Sequence, residues 1–152
     1  MSAEYDLTII GGGPVGMFAA FYAGMRNARV QLLESLPELG GQVQALYPEK
    51  IIHDVAGYPA IKGRELVAQL EKQLTQFPID IQLASPVTDV TGAMGDFTIT
   101  TASGQQSHSK AIIVATGSGA FEPRRLAVDN AAEFENKQLF YHIPSVKQFA
   151  DR

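Results

Sequence analysis

The stretch YDLTIIGGGPVG, Tyr5–Gly16, decides the fold, because an apolar run changes there into glycines within a few residues. Gly11, Gly13 and Gly16 fit the pattern G-x-G-x-x-G, with a strand predicted before it and a helix after it. In that pattern the first glycine permits a tight turn, the second admits a pyrophosphate close to the backbone, and the third lets the helix pack on the strand. A glycine-rich turn without a ligand is the alternative. The flanking strand and helix favour a nucleotide-binding unit.

The residues that follow complete a βαβ unit. After the strand Tyr5–Ile10, the pattern predicts a helix over about Pro14–Arg26 and a second strand at Arg29–Leu33, which implies a parallel pair. Pro14 suits the first helical turn, whose free N–H groups and dipole then face an anion. Glu34 lies about twenty residues beyond the glycines, where the fingerprint places a carboxylate that binds ribose hydroxyls. A glutamate that merely ends a strand is the competing interpretation.

Composition narrows the class of protein. The chain has 152 residues, of which 45% are hydrophobic, and this length and composition predict one globular domain. Its formal net charge of −4 argues against a nucleic-acid partner, because such a partner requires a basic surface. The N-terminus lacks the basic region of a signal peptide, and its apolar run is too short to span a membrane, so a cytoplasmic protein without a membrane partner is expected. There are no cysteines, which excludes disulfides and thiol nucleophiles. The three histidines have no metal-ligand spacing, so no metal site is predicted.

The middle of the chain reads as a loop and an amphipathic helix. Residues 35–62 are rich in proline and glycine, and a long irregular loop of this kind is often functional. Gly63–Phe77 then has the periodicity of a helix whose apolar stripe belongs to the core. That stripe consists of Leu66, Leu70, Leu74 and Phe77.

The last part of the chain reads mainly as strands. A short strand is predicted at Ile79–Leu83, and three closely spaced strands that form an antiparallel meander are predicted at Pro86–Thr91, Asp96–Thr101 and Ser107–Ala115. Lys110–Ala115 is continuously apolar after its lysine, as expected of a strand buried on both faces. A further strand is predicted at Leu139–Ile143, and a helix is predicted to start in Ser145–Arg152. The fold class is therefore α/β: a Rossmann-like parallel sheet with a βαβ start, plus a small antiparallel β-meander.

Taken together, the motifs resemble those of the thioredoxin-reductase-like ferredoxin–NADP reductases of bacteria, in the FAD-dependent pyridine nucleotide-disulfide oxidoreductase superfamily. The resemblance covers essentially the whole chain. It implies non-covalent FAD and electron transfer between NADPH and a ferredoxin or flavodoxin. The segments that carry it are GGGPVG, the stretch ESLPELGGQVQALYPEKIIHDVAGYP at 34–59, and Ala115-Thr116-Gly117.

For the phosphate and adenosine end, the resemblance implies the following contacts. The FAD pyrophosphate lies at Gly13–Gly16, next to the main chain of Val15, where family members often have a threonine whose hydroxyl is absent here. Glu34 holds the adenosine ribose. Val87 reads the adenine edge through its backbone, although without the resemblance it would be assigned to the core.

For the flavin end, the resemblance implies four further contacts. Gly41 admits the cofactor backbone, and Gln42 offers its amide to ribityl or phosphate oxygens. Tyr47 stacks on the isoalloxazine, because a flat π-system packs on a flavin and shields its reduced form from water. A core or surface tyrosine is the alternative. Phe121 is a further flavin-side contact, which by itself would be an ordinary apolar loop residue.

The sequence differs from related enzymes in two features that change the expected function. Neither LFYHIPS at 139–145 nor GGQVQALYP at 40–48 holds a cysteine pair, so no dithiol relay operates and electrons leave from the flavin itself. Family members also continue past the position of Arg152 into a second nucleotide fingerprint that binds NADPH. The chain is therefore expected to be a truncated, N-terminal portion without the NADPH domain. Residues 1–120 form the FAD-binding segment and residues 121–152 a connector.

The resulting hypothesis is a FAD-dependent reductase that moves hydride from NADPH to FAD and then single electrons to a carrier protein. No side chain of this chain is needed as a catalytic acid or base. The 152-residue chain alone is expected to be inactive and to bind FAD with reduced affinity. One alternative is a stand-alone FAD- or ADP-binding module without turnover, and another is a flavin monooxygenase or oxidase on the same nucleotide fold. A homodimer is left open.

Overall fold

The computed structural model describes residues 4–119, 124–141, 143 and 145–149. Its strands are β1 (Glu4–Ile10), β2 (Val30–Leu33), β3 (Ile51–Ile52), β4 (Ile61–Lys62), β5 (Asp80–Gln82), β6 (Val87–Ala93), β7 (Asp96–Thr101) and β8 (Gln106–Val114). Its α-helices are α1 (Pro14–Gly24), α2 (Gly41–Leu46), α3 (Gly63–Leu74) and α4 (Ala131–Phe134), and a 3-10 turn lies at Val146–Phe149. Within these residues every helix is too short or too polar to cross a lipid bilayer.

One six-stranded sheet, ordered β5-β2-β1-β8-β7-β6, organises the molecule. The strands β5, β2, β1 and β8 run parallel, with Leu7 opposite Val30 and Ile9 opposite Ile113. The first residues of β8 also pair antiparallel with β7, which in turn pairs with β6. The structure thus confirms the α/β class, the parallel sheet with a βαβ start and the antiparallel meander. The strand β8 belongs to both parts and joins them.

The core lies between β1, β2 and the helices α1 and α3. Ile9, Met17 and Leu32 have no accessible surface. Alanines along α1 let it lie close to its neighbours, and Gly24 does the same at its end, because a Cβ there would stand 2.7 Å from the Cβ of Phe77. The helix α3 ends at Leu74, three residues before the predicted end at Phe77, but the apolar stripe predicted for Gly63–Phe77 does pack in the core. Its members Leu66 and Leu74 are buried, Leu70 is half-buried against the core, and the Phe77 ring packs on that of Phe21 at 5.7 Å.

A buried glutamine links three neighbouring strands. Gln31 of β2 is 1% exposed, and its Oε1 accepts hydrogen bonds from Thr8 Oγ1 of β1 at 3.2 Å and from Ser107 Oγ of β8 at 2.8 Å. Buried polar groups are tolerated when they are hydrogen-bonded in this way. These bonds therefore connect β2 to β1 and β8 through buried side chains, in addition to the backbone pairing of the sheet.

The stretch 35–62 is more regular than predicted. It contains the six-residue helix α2 and the two-stranded antiparallel pair β3–β4, in which Ile51 pairs with Lys62. The Gly63 N–H donates to Lys50 O at 3.0 Å and fastens this pair to the start of α3. The sequence did not reveal α2 because the helix is short and buries none of its residues completely, so it leaves no apolar stripe.

The prediction that Lys110–Ala115 is buried on both faces is wrong. Val114 is 71% exposed and Ile113 is 37% exposed. The main contacts of β8 are with its neighbours β1 and β7, and a helical layer does not cover its end in the described part of the chain. The apolar run therefore predicted a strand correctly here, but it did not predict how far the side chains of that strand are buried.

The predicted element ends differ by a few residues. The helix α1 ends at Gly24, two residues before the predicted Arg26, and the left-handed backbone of Asn27 closes the turn after it. The predicted strand at Leu139–Ile143 is reduced to one bridge between Leu139 and Glu135, with residue 142 outside the described residues. The helix predicted to start in Ser145–Arg152 is a single 3-10 turn as far as the described residues extend.

Candidate nucleotide-binding site

A crevice of about 560 Å³ opens at the carboxyl ends of the parallel strands β1, β2 and β8. In open α/β sheets ligands bind in this place, beyond the carboxyl ends of the strands. The structure brings together eight of the ten residues predicted for the site, which all line the crevice: Gly11, Gly13, Val15, Glu34, Gly41, Gln42, Tyr47 and Val87. Gly16 does not line it, and Phe121 lies outside the described residues.

The glycines of the fingerprint have different surroundings. Gly11 has φ +112°, and a Cβ there would lie 2.4 Å from the carbonyl oxygen of Ala115. A Cβ at Gly16 would lie 1.8 Å from the carbonyl oxygen of Gly11, so this glycine serves the packing of α1 on the turn. At Gly13 a Cβ would meet no atom within 4 Å. The only one of the three glycines with open space beside its backbone is therefore the one predicted to face a pyrophosphate.

The N-terminus of α1 faces the crevice without a side-chain cap. Gly13 is the N-cap with extended backbone, Pro14 occupies the first helical turn, and no acidic residue lies in that turn. The Val15 side chain is 70% exposed, and its residue lines the crevice. The first N–H groups of a helix have no intrahelical acceptor, and together with the helix dipole they favour an anion. This end of the crevice thus suits a phosphate.

Glu34 is buried at the end of β2, where its carboxylate holds the glycine turn. Its Oε2 accepts the Gly12 N–H at 2.6 Å, and its Oε1 accepts the Leu36 N–H at 2.8 Å and the Ser35 hydroxyl at 3.0 Å. A carboxylate has about four acceptor positions, so one remains for a hydroxyl in the crevice. The sequence placed Glu34 at the site but did not reveal that it also fixes Gly12.

The second glycine pair brings α2 against the fingerprint turn. The Gly40 N–H donates to Gly12 O at 2.9 Å, and a Cβ at Gly41 would lie 3.2 Å from the Cα of Gly13. Tyr47, at the end of α2, is half-buried and has the Lys50 ammonium 5.5 Å from its ring centroid. One wall of the crevice is therefore built by two glycine segments that are remote in sequence and by one aromatic ring.

The strand β6 begins at the other side of the crevice. The Ser85 N–H donates to Glu34 O at 2.8 Å, and the Ala84 N–H donates to Leu36 O at 2.9 Å. These bonds hold the segment before Val87 beside the end of β2. Val87, the first residue of β6, lines the crevice together with Pro86.

The loop after β8 forms a wall that the sequence-based site did not include. Its five residues, Ala115 to Gly119, all line the crevice. The Ala115 N–H donates to Ile10 O at 2.8 Å, and the Gly119 N–H closes a turn on Thr116 O at 2.9 Å. The only signal in the sequence was the change from an apolar strand to small residues in Ala115-Thr116-Gly117.

The charges near the crevice do not form a catalytic cluster. Within residues 4–119 and the later described positions, no group of three or more histidine, cysteine, aspartate or glutamate side chains could hold a metal. The clearest pKa shift lies at the far end of β1, where burial and a hydrogen bond to Asp80 raise the pKa of Tyr5 to about 12. Bonding to Lys110 lowers the pKa of the exposed Asp6.

Comparisons with known proteins agree with this geometry. The sequence profile of the pyridine nucleotide-disulphide oxidoreductase family matches residues 5–150. The chain is 58% identical over 152 residues to a ferredoxin–NADP reductase of Levilactobacillus brevis and 51% identical over 149 residues to one of Enterococcus faecalis. These alignments cover 100% and 97% of the chain but 46% and 44% of the relatives. The chain thus spans about half the length of the curated relatives it matches.

A solved structure shows the same fold. The thioredoxin reductase of Streptococcus pyogenes superposes with a TM-score of 0.68 at 29% identity, over 84% of this chain and 39% of that protein. The profile match covers nearly every residue, including those that line the crevice. The chain belongs to the pyridine nucleotide-disulphide oxidoreductase family.

Proposed function

We propose that this chain binds FAD in the crevice and forms the FAD-binding part of a ferredoxin–NADP reductase. In this proposal residues 1–120 hold the cofactor and residues 121–152 connect to further chain. The names of the similar proteins from L. brevis and E. faecalis support the reductase activity. The observation that carries the proposal is that both glycine segments, Glu34 and Tyr47 line one continuous crevice.

The residues present fit the phosphate and adenosine part of FAD. The open space beside Gly13 and the uncapped start of α1 accommodate a pyrophosphate, with Val15 contributing its main chain. The remaining acceptor position of Glu34 takes a ribose hydroxyl. In this proposal the main chain at Val87 meets the adenine edge, which is supported by the position of Val87 in the lining of the crevice.

The residues on the α2 side fit the flavin part. Gly41 leaves room for the cofactor backbone, and Gln42 supplies an amide that can bind ribityl or phosphate oxygens. The Tyr47 ring supplies a flat apolar surface for the isoalloxazine. The contact assigned to Phe121 stays a prediction, because this residue lies outside the described part of the chain.

When bound, FAD supplies the redox chemistry: it accepts a hydride equivalent from NADPH and releases single electrons to a ferredoxin or flavodoxin. The chain's own residues bind, orient and shield the cofactor. No acid or base of the crevice is required, and the absence of cysteine removes a dithiol step. NADPH binds outside this chain in the proposal. Flavodoxin as carrier, the homodimer and the cytoplasmic location stay predictions.

The test is a calorimetric titration of the flavin-free chain with FAD, followed by competition with AMP. We expect one FAD site from which AMP displaces FAD, because both ligands share the adenosine end. We also expect the purified chain to lack stoichiometric flavin absorption, because a binding site completed by further chain binds less tightly without it. No binding of FAD or AMP would contradict the proposed function. Stoichiometric yellow protein would contradict the expectation of reduced affinity.

A further inference from the structure

One hydrogen bond spans the crevice from wall to wall. Gln42, the second residue of α2, donates from its Nε2 to the Oγ of Ser118 in the loop after β8. Both residues line the crevice, and 76 positions of sequence separate them. The two walls of the crevice are therefore joined directly by side chains at this point.

The two partners differ in how firmly their backbones are held. Gln42 follows the glycine pair that is bonded to the fingerprint turn through the Gly40 N–H and Gly12 O. Ser118 is exposed and stands between Gly117 and Gly119, neither of which would bring a Cβ within 4 Å of another atom. The loop contains the turn that the Gly119 N–H closes on Thr116 O, and it has free space at both glycines that flank Ser118. Its hydroxyl bond to Gln42 ties it to the fixed wall.

The bond also fixes the orientation of the Gln42 amide group in the crevice. A glutamine amide has two donor hydrogens on Nε2 and an acceptor Oε1, and rotation by half a turn exchanges them. With Ser118 Oγ as acceptor for one hydrogen, Nε2 is fixed on the side of the loop. The other hydrogen stays available for a hydroxyl or phosphate oxygen of a ligand, and Oε1 can accept from a ligand hydroxyl.

We propose that Ser118 is a positioning residue, whose hydroxyl holds the Gln42 amide across the crevice so that the pair forms a clasp over the bound cofactor. The proposal rests on the proposed FAD site and adds to it a residue in the wall that sequence reasoning left out. The clasp acts on the ribityl and phosphate portion beside α2. It does not act on the adenosine portion, which Glu34 and Val87 serve.

The test compares FAD and AMP binding to the 152-residue chain by calorimetry, for the unaltered protein and for Ser118→Ala, Ser118→Thr, Gln42→Ala and the double alanine variant. One hydrogen bond corresponds to about a two- to tenfold change in a dissociation constant. We expect Ser118→Ala to raise the FAD dissociation constant by that factor and Ser118→Thr to restore it. AMP binding and the thermal unfolding temperature should be unchanged.

The double variant distinguishes positioning from a direct contact. If Ser118 acts through Gln42, removing the hydroxyl in the Gln42→Ala background weakens FAD binding no further. The matched control is Gln44→Ala, which alters the same residue type on the same helix, where the amide bonds Glu38 and does not line the crevice. This control should bind FAD as the unaltered chain does.

Three results would overturn the clasp. One is an unchanged FAD dissociation constant in Ser118→Ala, another is an equal loss of FAD and AMP binding, and the third is a full additional loss in the Gln42→Ala background. In each of these cases the unaltered chain still binds FAD and AMP competitively, so the proposed function stands. If the unaltered chain binds neither ligand, the proposed function fails and the clasp fails with it.

Discussion

At the scale of the residue, a single methyl group separates the roles of two fingerprint glycines. At Gly16 a Cβ would overlap the carbonyl oxygen of Gly11, whereas at Gly13 it would enter open space. We expect Gly16→Ala to lower the free energy of unfolding by about 3 kcal/mol or more, because backbone has to move to relieve the contact. Gly13→Ala should leave stability nearly unchanged but weaken FAD binding, because its methyl group occupies the proposed phosphate position.

Urea unfolding of both variants, combined with FAD titration of Gly13→Ala, checks this contrast. The unaltered chain is the reference for both measurements. In Gly13→Ala the FAD affinity should fall while the free energy of unfolding stays nearly the same. Equal destabilisation by the two substitutions would contradict the packing role of Gly16. Unchanged FAD affinity in Gly13→Ala would contradict the phosphate position.

Tyr5 allows a prediction about pH. Burial and the hydrogen bond to Asp80 raise the pKa of its phenol to about 12, above the usual value of 10.0. The folded state therefore favours the neutral phenol, and this contribution to stability is complete below pH 10 and is lost as the pH rises through about 12. In an ultraviolet titration of tyrosinate, Tyr5 should ionise later than an unperturbed tyrosine.

The variant Tyr5→Phe identifies that step. The late part of the absorbance change should disappear in the variant, and the fall in stability between pH 10 and 12 should become shallower. Retention of the late step in Tyr5→Phe would show that another tyrosine is responsible. Tyr22→Phe is the matched control, because Tyr22 lies on the exposed surface, where its hydroxyl accepts from Arg26.

At the scale of the element, α3 supports the crevice from behind by packing on α1 and α2. Leu74 is completely buried in this packing, whereas Leu70, one turn earlier, is half-buried. We expect Leu74→Ala to cost about 2–5 kcal/mol of unfolding free energy, as for other large-to-small substitutions in cores, and Leu70→Ala to cost clearly less. Chemical denaturation of the two variants measures the difference. Equal losses of unfolding free energy in the two variants would contradict the difference in burial between Leu74 and Leu70.

The elements that the sequence predicted correctly are those with a strong local signal. The strand β1, the glycine turn and α1 combine an apolar run, left-handed glycine and a proline that suits a helix start, so local preference and fold agree. The helix α2 lacks such a signal, because its position depends on the Gly40 N–H bond to Gly12, which is a tertiary contact. The exposure of β8 could not be predicted from its apolar residues, because the burial of a strand depends on which other elements pack against it.

At the scale of the whole molecule, the candidate site is assembled from segments that only the fold brings together. The fingerprint and Glu34 were predicted from spacing alone, whereas Gly41, Gln42, Tyr47 and Val87 followed only from a resemblance. The structure places Glu34, these four residues, Gly11, Gly13 and Val15 around one crevice, which Gly16 does not line. Ser118 was missed, because a serine between two glycines has no distinctive pattern until its partner Gln42 lies opposite.

The chain is shorter than the reductases it resembles, and this limits which steps of the reaction it can be proposed to perform by itself. The chain covers less than half of the similar reductases from L. brevis and E. faecalis, and in the proposal the NADPH site lies outside it. In the proposal, the contribution of this chain to electron transfer is therefore the binding of the cofactor.

The central claim is that the fingerprint turn and the α2 segment hold a single extended FAD molecule between them. A titration of the isotope-labelled chain with FAD, followed by amide resonances, tests this claim directly. The account predicts that resonances of the Gly13 and Gly41 segments and of the loop at Ser118 shift together, in one saturable transition with one ligand per chain. Shifts confined to one segment, or shifts that scatter over the surface without saturation, would contradict it.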